Sequence, residues 1–471
     1  GYRMVKRKTF VEGIERTLYD IRNEDRSVYK TQQGLTEAVV RDISKQKNDP
    51  AWMLEFRLKS LDIYNKMAMP TWGPDLSDLN MDDIVTYVRP DAKMTGSWQE
   101  VPQDIKETFD RLGIPEAEKT SLAGVGAQYD SEVVYHSIQQ SLLDQGVVYT
   151  DFETAVREYG DLVQEYFMKL LPPKDHKFLA LHGAVWSGGS FVYVPEGVHV
   201  DIPLQSYFRL NAAGAGQFEH TLIICEKNSS LHFIEGCSAP KYNVTNLHAG
   251  AVELYVKEGA RLRYSTIENW SRNMMNLNTK RALVEKDGLI EWVSGSFGSH
   301  VSCLYPSSVL HGENAKCEFT GVTFASTGQN LDTGASVIMM APNTSANINT
   351  RTICKSGGIT TYRSAVKVTP EATGAKCLVN CESLMLDDKS RSDTLPVMDI
   401  ESDQVEIGHE AKIGRISDQA IFYLTSRGID EKEARAMIVR GFVEPIAKAL
   451  PLEYAVEMNN LVNIELEGTM G

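Results

Sequence analysis

Apolar residues recur at helical spacing in the first third of the chain and alternate with polar ones through its middle. Residues 1 to about 172 read mainly as helices. Asp49-Pro50 supplies an N-cap followed by proline at the first helical position. Trp52, Met53, Phe56, Leu58, Leu61 and Tyr64 then follow on one face. Further helices are expected from Pro102 to Leu112 with a stop at Gly113, from Ser131 to Gln145 with a stop at Gly146, and from Asp151 to Pro172-Pro173. Residues 68–100, with Pro70, Pro74 and Pro90, read as loop.

Near Lys177 the texture changes, and β-branched residues take over in FVYVPEGVHVDIPL, HTLIICE and LHFIEGC. Turn signals recur around positions 228, 259, 287, 314, 343, 373 and 403, at intervals of 27 to 31 residues. Each is followed by an alternating segment: SLHFIEG, RLRYSTIEN, LIEWVSGS, KCEFTGVTF, ANINTRTIC, KCLVNCESLML and VEIGHEAK. A fixed period with strand texture and no intervening helices predicts a parallel β-helix. A β-sandwich of regular hairpins would need Asn-Gly or Asp-Gly turns, and only Lys286-Asp287-Gly288 comes near.

Beyond Gly414 the helical pattern returns. Ser417 caps SDQAIFYLTSR, Asp430 and Glu433 form a capping box, and Pro451 opens LEYAVEMNNLVNIELEG. The chain thus reads as mainly β: a helical N-terminal region (1–172), a β-helix core (173–414) and a helical C-terminal region (415–471). Residues 430–442 carry Met437, Ile438 and Phe442, which either pack on the solenoid end or form a docking surface for another protein.

A length of 471 residues exceeds one ordinary domain, and 42% hydrophobic residues suffice for a large core. A net charge of -15 argues against free nucleic acid or an anionic membrane as partner. No run of 18 apolar residues exists, and the N-terminal stretch lacks the apolar core of a signal peptide; Gly1 does not read as a native start. Seven cysteines without a CxxC fit a reducing compartment, so a cytoplasmic location is expected. No Walker-type phosphate loop, HExxH or GxSxG is present. Asp332-Thr333-Gly334 matches an aspartic-protease signature, but the second aspartate that chemistry needs is missing, so a solenoid turn is the reading.

Candidate metal chemistry gathers in Ala375–Gly414, which holds Cys377, Cys381, His409 and Glu410. Thiolate, imidazole and carboxylate are ligands of zinc and iron. Cys381 and Glu410 lie one period apart, which stacks them on adjacent coils about 4.8 Å apart. On that count His409 faces the opposite side unless a bulge intervenes.

Several stretches resemble one family, the SufB/SufD iron–sulfur scaffolds of the SUF system, in its SufB branch. They include NDPAWMLEFRLKSL, SGGSFVYVPEGV, YFRLNAAGAGQFEHTLI, IEGCSAP, STIENW, VNCESLM, GHEAKIGRISDQAIFYLTSRGI and LPLEYAVEMNNL. The resemblance implies a right-handed parallel β-helix flanked by helical regions. It implies a scaffold rather than an enzyme, partnered by the SufC ATPase and by SufD or a second SufB-like chain. Sulfur would come from a cysteine desulfurase with its sulfur-carrier protein, and the nascent, transient cluster would pass to client apo-proteins. Cys237 in IEGCSAP matches the sulfur acceptor, with Arg209, Asn211, Glu268, Trp270 and Lys280 along an interior sulfur path; nearby Arg and Lys would lower the thiol pKa. Glu268 departs from the family's usual Gln. Cys381 and Glu410, with His409, match the cluster-assembly site. Reduced flavin is associated with complexes of this family, and no motif here locates it. The alternatives are a SufD-like structural subunit and a β-helix carbohydrate-active enzyme.

Overall fold

The computed structural model describes residues 16–112, 122–448 and 452–467. The expected stop at Gly113, the helix start at Pro451 and the stretch before Arg16 lie outside them.

All seven alternating segments are strands, and each of the first six pairs in parallel with its counterpart one period later. The pairs begin Ser230↔Arg261, Arg261↔Leu289, Leu289↔Lys316, Lys316↔Ser345, Ser345↔Lys376 and Lys376↔Glu406. One period is therefore one coil of a parallel β-solenoid. A ten-stranded sheet forms one wall and a fourteen-stranded sheet the rest. The turn signals owe their regularity to backbone geometry. Asn228, Gly259, Asp287, Asn314, Asn343 and Gly374 all adopt positive φ, which glycine, Asn and Asp tolerate best. Each of these residues donates its N–H to the next coil, from Asn228 to the Glu258 carbonyl (2.9 Å) through Gly374 to the Gln404 carbonyl (2.7 Å). The corner ladder sets the coil length.

Alternation divides each strand between two environments. Inward positions such as Leu231, Phe233, Leu262, Tyr264, Ile290 and Trp292 fill one half of the solenoid interior. Outward positions Ile234, Ile267, Val293, Val322 and Ile353 pack beneath Val439, Val443, Leu461 and Val462 of helices Glu431–Ala447 and Leu452–Glu467. Each such burial contributes about 1.5–3 kcal/mol, which fixes the C-terminal helices against the wall.

The N-terminal region is less helical than its pattern predicts. Ser131–Gln145 holds the strand Glu132–Ile138 followed by a short helix, Gln140–Asp144. Strand Gly124–Tyr129 pairs in parallel with Leu204–Arg209, and Val148–Asp151 runs antiparallel to Gly189–Val194. These strands extend both sheets and cover the first coil. Conversely, Lys177–Val185 at the expected onset of strand texture is a fully buried helix. His182 Nε2 meets His220 Nδ1 at 2.8 Å, and His220 Nε2 meets Glu253 at 3.0 Å. Glu253 also accepts the backbone N–H groups of Met168, Leu170 and Leu171 at 2.7–3.0 Å, which ties the helical region to the solenoid.

The far end is open. Strands Arg391–Ile400 and Glu406–Arg415 terminate the sheets, each with an edge unpaired among the described residues. Val397 and Ile413 on them are 60% and 59% exposed. An exposed apolar edge is a template for pairing with another chain.

Candidate functional site

Cys237, Cys317, Cys377 and Cys381 lie on the inner face of the same wall, and the first and last of them are the candidates. Cys237 is buried on strand Ser230–Ser238, where its register partner on the next coil is Glu268. Glu219, immediately before strand His220–Cys225, and His248 on strand Asn246–His248 close around it. One ligand atom from each of Glu219, Cys237 and His248 lies within 4.8 Å of the others, the one such group among the described residues. His248 Nε2 contacts Glu219, and Nδ1 lies 2.8 Å from the Asn276 side-chain oxygen. The ring stacks at a tilt on Trp270, 4.7 Å between centroids. Glu268 accepts from Asn276 at 2.7 Å and faces Lys280 at 3.6 Å. Lys280 thus offsets the carboxylate at position 268.

The thiol itself departs from expectation. Burial pushes the Cys237 pKa well above the usual thiol value; Glu219, Glu268 and Glu235 add to the rise, and Lys280 opposes it. Arg209 does not help, because its register partner is Ser238, so it points to the outer face. There it donates to Ser238 Oγ at 3.0 Å and to the carbonyls of Tyr19 and Ile21 at 2.9 Å. The Asn211 side chain accepts the Asn23 N–H at 3.0 Å. Arg209 and Asn211 therefore clamp the N-terminal segment, while Glu268, Trp270 and Lys280 stand near Cys237.

Cys381 is buried on strand Lys376–Met385, and its register partners are Thr350 and Ala411. Glu410 pairs with Asn380 and His409 with Val379. The expected stacking of Cys381 on Glu410 is corrected accordingly: Glu410 is exposed on the outer face, and His409 shares the inner face with Cys381. His409 Nε2 is buried without a hydrogen-bond partner. Burial raises the Cys381 thiol pKa, and a hydrogen bond with Thr350 opposes it.

Two adjacent rows of inward side chains span the distance between Cys237 and Cys381, one starting at Cys237 and the other ending at Cys381. One runs Cys237, Glu268, Ser296, Thr323, Thr352, Ser383. The other runs Glu235, Thr266, Ser294, Gly321, Thr350, Cys381. The span is roughly 24 Å at about 4.8 Å per strand step. Small hydroxyl residues leave space where the apolar half of the interior is filled. A cavity of about 20 Å³ touches Thr266, Lys280 and Ser294. A second, of about 40 Å³, touches Ser294, Ser296, Thr323 and Thr350.

The C-terminal residues divide. Met437 is 40% exposed and Ile438 half-buried. Phe442 packs against the outer wall, with the Arg351 guanidinium 5.1 Å from its ring and donating to its carbonyl at 3.0 Å. It is a packing residue rather than a docking one. Sequence reasoning missed Phe422 and Tyr423 on helix Asp418–Ser426, which are 73% and 54% exposed. The signal was present: Ile421-Phe422-Tyr423-Leu424 are consecutive, and one face of a helix cannot bury all four. Asp332 is buried against Arg363 at 2.8 Å and Tyr305 at 2.7 Å, a coil-to-coil ion pair.

Buried thiols and an open apolar end on a stack of parallel coils define the class, a β-solenoid protein flanked by helices. Residues 208–442 match the SUF system FeS cluster assembly, SufBD core domain, and residues 38–206 match the SufBD protein N-terminal region. Iron-sulfur cluster assembly SufBD family proteins of Staphylococcus aureus and Staphylococcus haemolyticus are each 50% identical over 453 residues, covering 96% of this chain and 97% of theirs. The chain belongs to the SufBD family of iron–sulfur cluster assembly proteins. Among the described residues, no helix is long and apolar enough to cross a membrane.

Proposed function

We propose that this chain is the SufB-type scaffold on which iron–sulfur clusters are assembled. The observation that carries this reading is the pair of inward hydroxyl rows that span the distance between Cys237 and Cys381. Cys237 accepts sulfane sulfur delivered by a cysteine desulfurase and its carrier. A two-electron reductant, for which reduced flavin is the candidate, cleaves the S–S bond of the Cys237 persulfide, which returns the thiol and releases sulfide; the sulfide moves past Glu268, Trp270 and Lys280 and along the hydroxyl rows. A transient cluster forms at Cys381 with His409 or Glu410, completed across the open end by SufD or a second copy of the chain. A site with few thiolates suits transient holding and release to client apo-proteins. The chain is not itself an enzyme; the SufC ATPase docks on the C-terminal helices and supplies ATP hydrolysis in the cytoplasm.

The raised thiol pKa of Cys237 and its deep burial favour one second reading, a SufD-like structural subunit with inert cysteines. Anaerobic reconstitution with iron and sulfide, followed by absorption and Mössbauer spectra, separates the two. The scaffold reading expects a cluster in the wild type and none in Cys381→Ala. A wild type that binds no iron leaves the structural subunit.

A further inference from the structure

We propose that Glu219, Cys237 and His248 form a binding site for one divalent transition-metal ion of the ferrous or zinc class. The site goes beyond the cluster-assembly reading and does not depend on Cys237 accepting sulfur. Three segments converge on it, and all three residues are at least nine-tenths buried, at 4%, 4% and 0% exposure. Their ligand atoms lie within 4.8 Å of one another. Ligand atoms on a shared ion sit roughly 3.3–4.5 Å apart, given metal–ligand distances of about 2.0–2.3 Å. Small side-chain rotations therefore close the set around an ion.

The surrounding acceptors point the same way. Glu219 Oε2 and Asn278 Oδ1 are both buried without a hydrogen-bond partner. A buried acceptor without a donor is destabilising by about 1–3 kcal/mol, so their concentration here calls for a positive group. A Cβ on Gly250 would fall 2.7 Å from Glu219 Oε1 and 2.9 Å from Asn278 Oδ1, so glycine leaves those two oxygens facing one small space. Lys280 does not fill the role, because its ammonium is directed at Glu268.

The donor set selects the ion. One thiolate and one carboxylate neutralise a divalent charge. Thiolate disfavours magnesium and calcium, while a sulfur, nitrogen and oxygen set suits zinc and ferrous iron. The ion would separate His248 Nε2 from Glu219, and Asn276 already holds the other ring nitrogen, which fixes the imidazole toward the site.

The test uses the full-length chain with Cys381→Ala, so that the distal cysteine does not contribute. Anaerobic equilibrium dialysis against Fe(II) and Zn(II) separately is expected to show one ion per chain for each metal, with zinc the tighter, as the general affinity order requires. Co(II) in their place is expected to give a thiolate-to-metal charge-transfer band. Cys237→Ser, Glu219→Gln and His248→Gln should each weaken binding on the order of tenfold or more. Stoichiometric binding that ignores all three substitutions, or no binding, overturns the proposal. Should these buried variants fail to fold, zinc-soaked crystals of the parent decide: an anomalous peak among the three side chains is expected, and zinc found only elsewhere overturns the site. Sulfur transfer to Cys237 is a separate measurement, so ion binding without it leaves this site standing and removes the proposed acceptor role.

Discussion

Cys381 and His409 project to the same inner face of two hydrogen-bonded strands, because His409 pairs with Val379 and Cys381 with Ala411. Glu410, paired with Asn380, projects outward from the same strand. Within one chain the imidazole is thus the group on the thiol's side, and its Nε2 has no other partner. We predict that His409→Ala lowers cluster yield in the intact complex by about tenfold or more, and that Glu410→Gln does so only if a second subunit folds the outer face into the site. Normal reconstitution in His409→Ala with loss in Glu410→Gln would reverse this assignment.

Cys237 stands roughly 24 Å from Cys381, five strand steps at about 4.8 Å each. No single cluster spans that distance. Cys237→Ser is therefore predicted to abolish sulfur uptake from the desulfurase while leaving reconstitution from free sulfide largely intact. The check is radiolabelled sulfur transfer beside chemical reconstitution; equal loss in both would make the residue structural or a cluster ligand.

The solenoid was legible because its corners demand positive φ. That demand places Asn228, Gly259, Asp287, Asn314, Asn343 and Gly374 at a near-constant interval, and small polar residues and glycine are visible in a sequence. Facing was not legible. The period varies between coils, so counting from a corner does not preserve the side on which a residue points, and Glu410 came out one residue wrong. Arg209 was placed by the family resemblance rather than by counting, and its pairing with Ser238 is what shows that it leaves the interior. The strand Glu132–Ile138 was hidden by the glycine stop that follows it. EVVYHSI does carry β-branched alternation, but its partner Gly124–Tyr129 is glycine-rich and reads as a turn.

Phe422, Tyr423 and Met437 form the exposed apolar part of the C-terminal helices, while Phe442 is tied to the wall through Arg351. We predict that Phe422→Asp combined with Met437→Asp abolishes co-purification with the SufC ATPase and leaves the melting temperature nearly unchanged, since exposed substitutions shift stability by about 0.5 kcal/mol or less. Phe442→Ala should instead destabilise the fold, by less than the about 3–5 kcal/mol of a fully buried ring. Undiminished SufC binding by the double variant would place the docking surface elsewhere.

Glu253 makes the junction between the helical region and the solenoid sensitive to pH. Its carboxyl is wholly buried, and burial pushes its pKa up to about 8 despite three backbone donors. Its neighbour His220 is pushed down to about 3 by burial. The two groups act oppositely. For His220 the folded state binds fewer protons than the unfolded one between about pH 3 and 6.5, so stability rises with pH there. For Glu253 the folded state binds more between about pH 4.5 and 8, so stability falls as pH rises through that window. They offset between about pH 4.5 and 6.5, and above pH 6.5 Glu253 acts without His220. Denaturant unfolding of the wild type should therefore show this site's contribution declining from pH 6.5 to 8, by at most about 1.4 kcal/mol per pH unit, the limit for one proton. Glu253→Gln removes the titration and leaves one backbone N–H facing an amide donor. It is expected to lower stability at pH 6.5 by about 1–3 kcal/mol and to flatten the decline above it. The same slope in wild type and Glu253→Gln between pH 6.5 and 8 would show that the proton is taken up elsewhere.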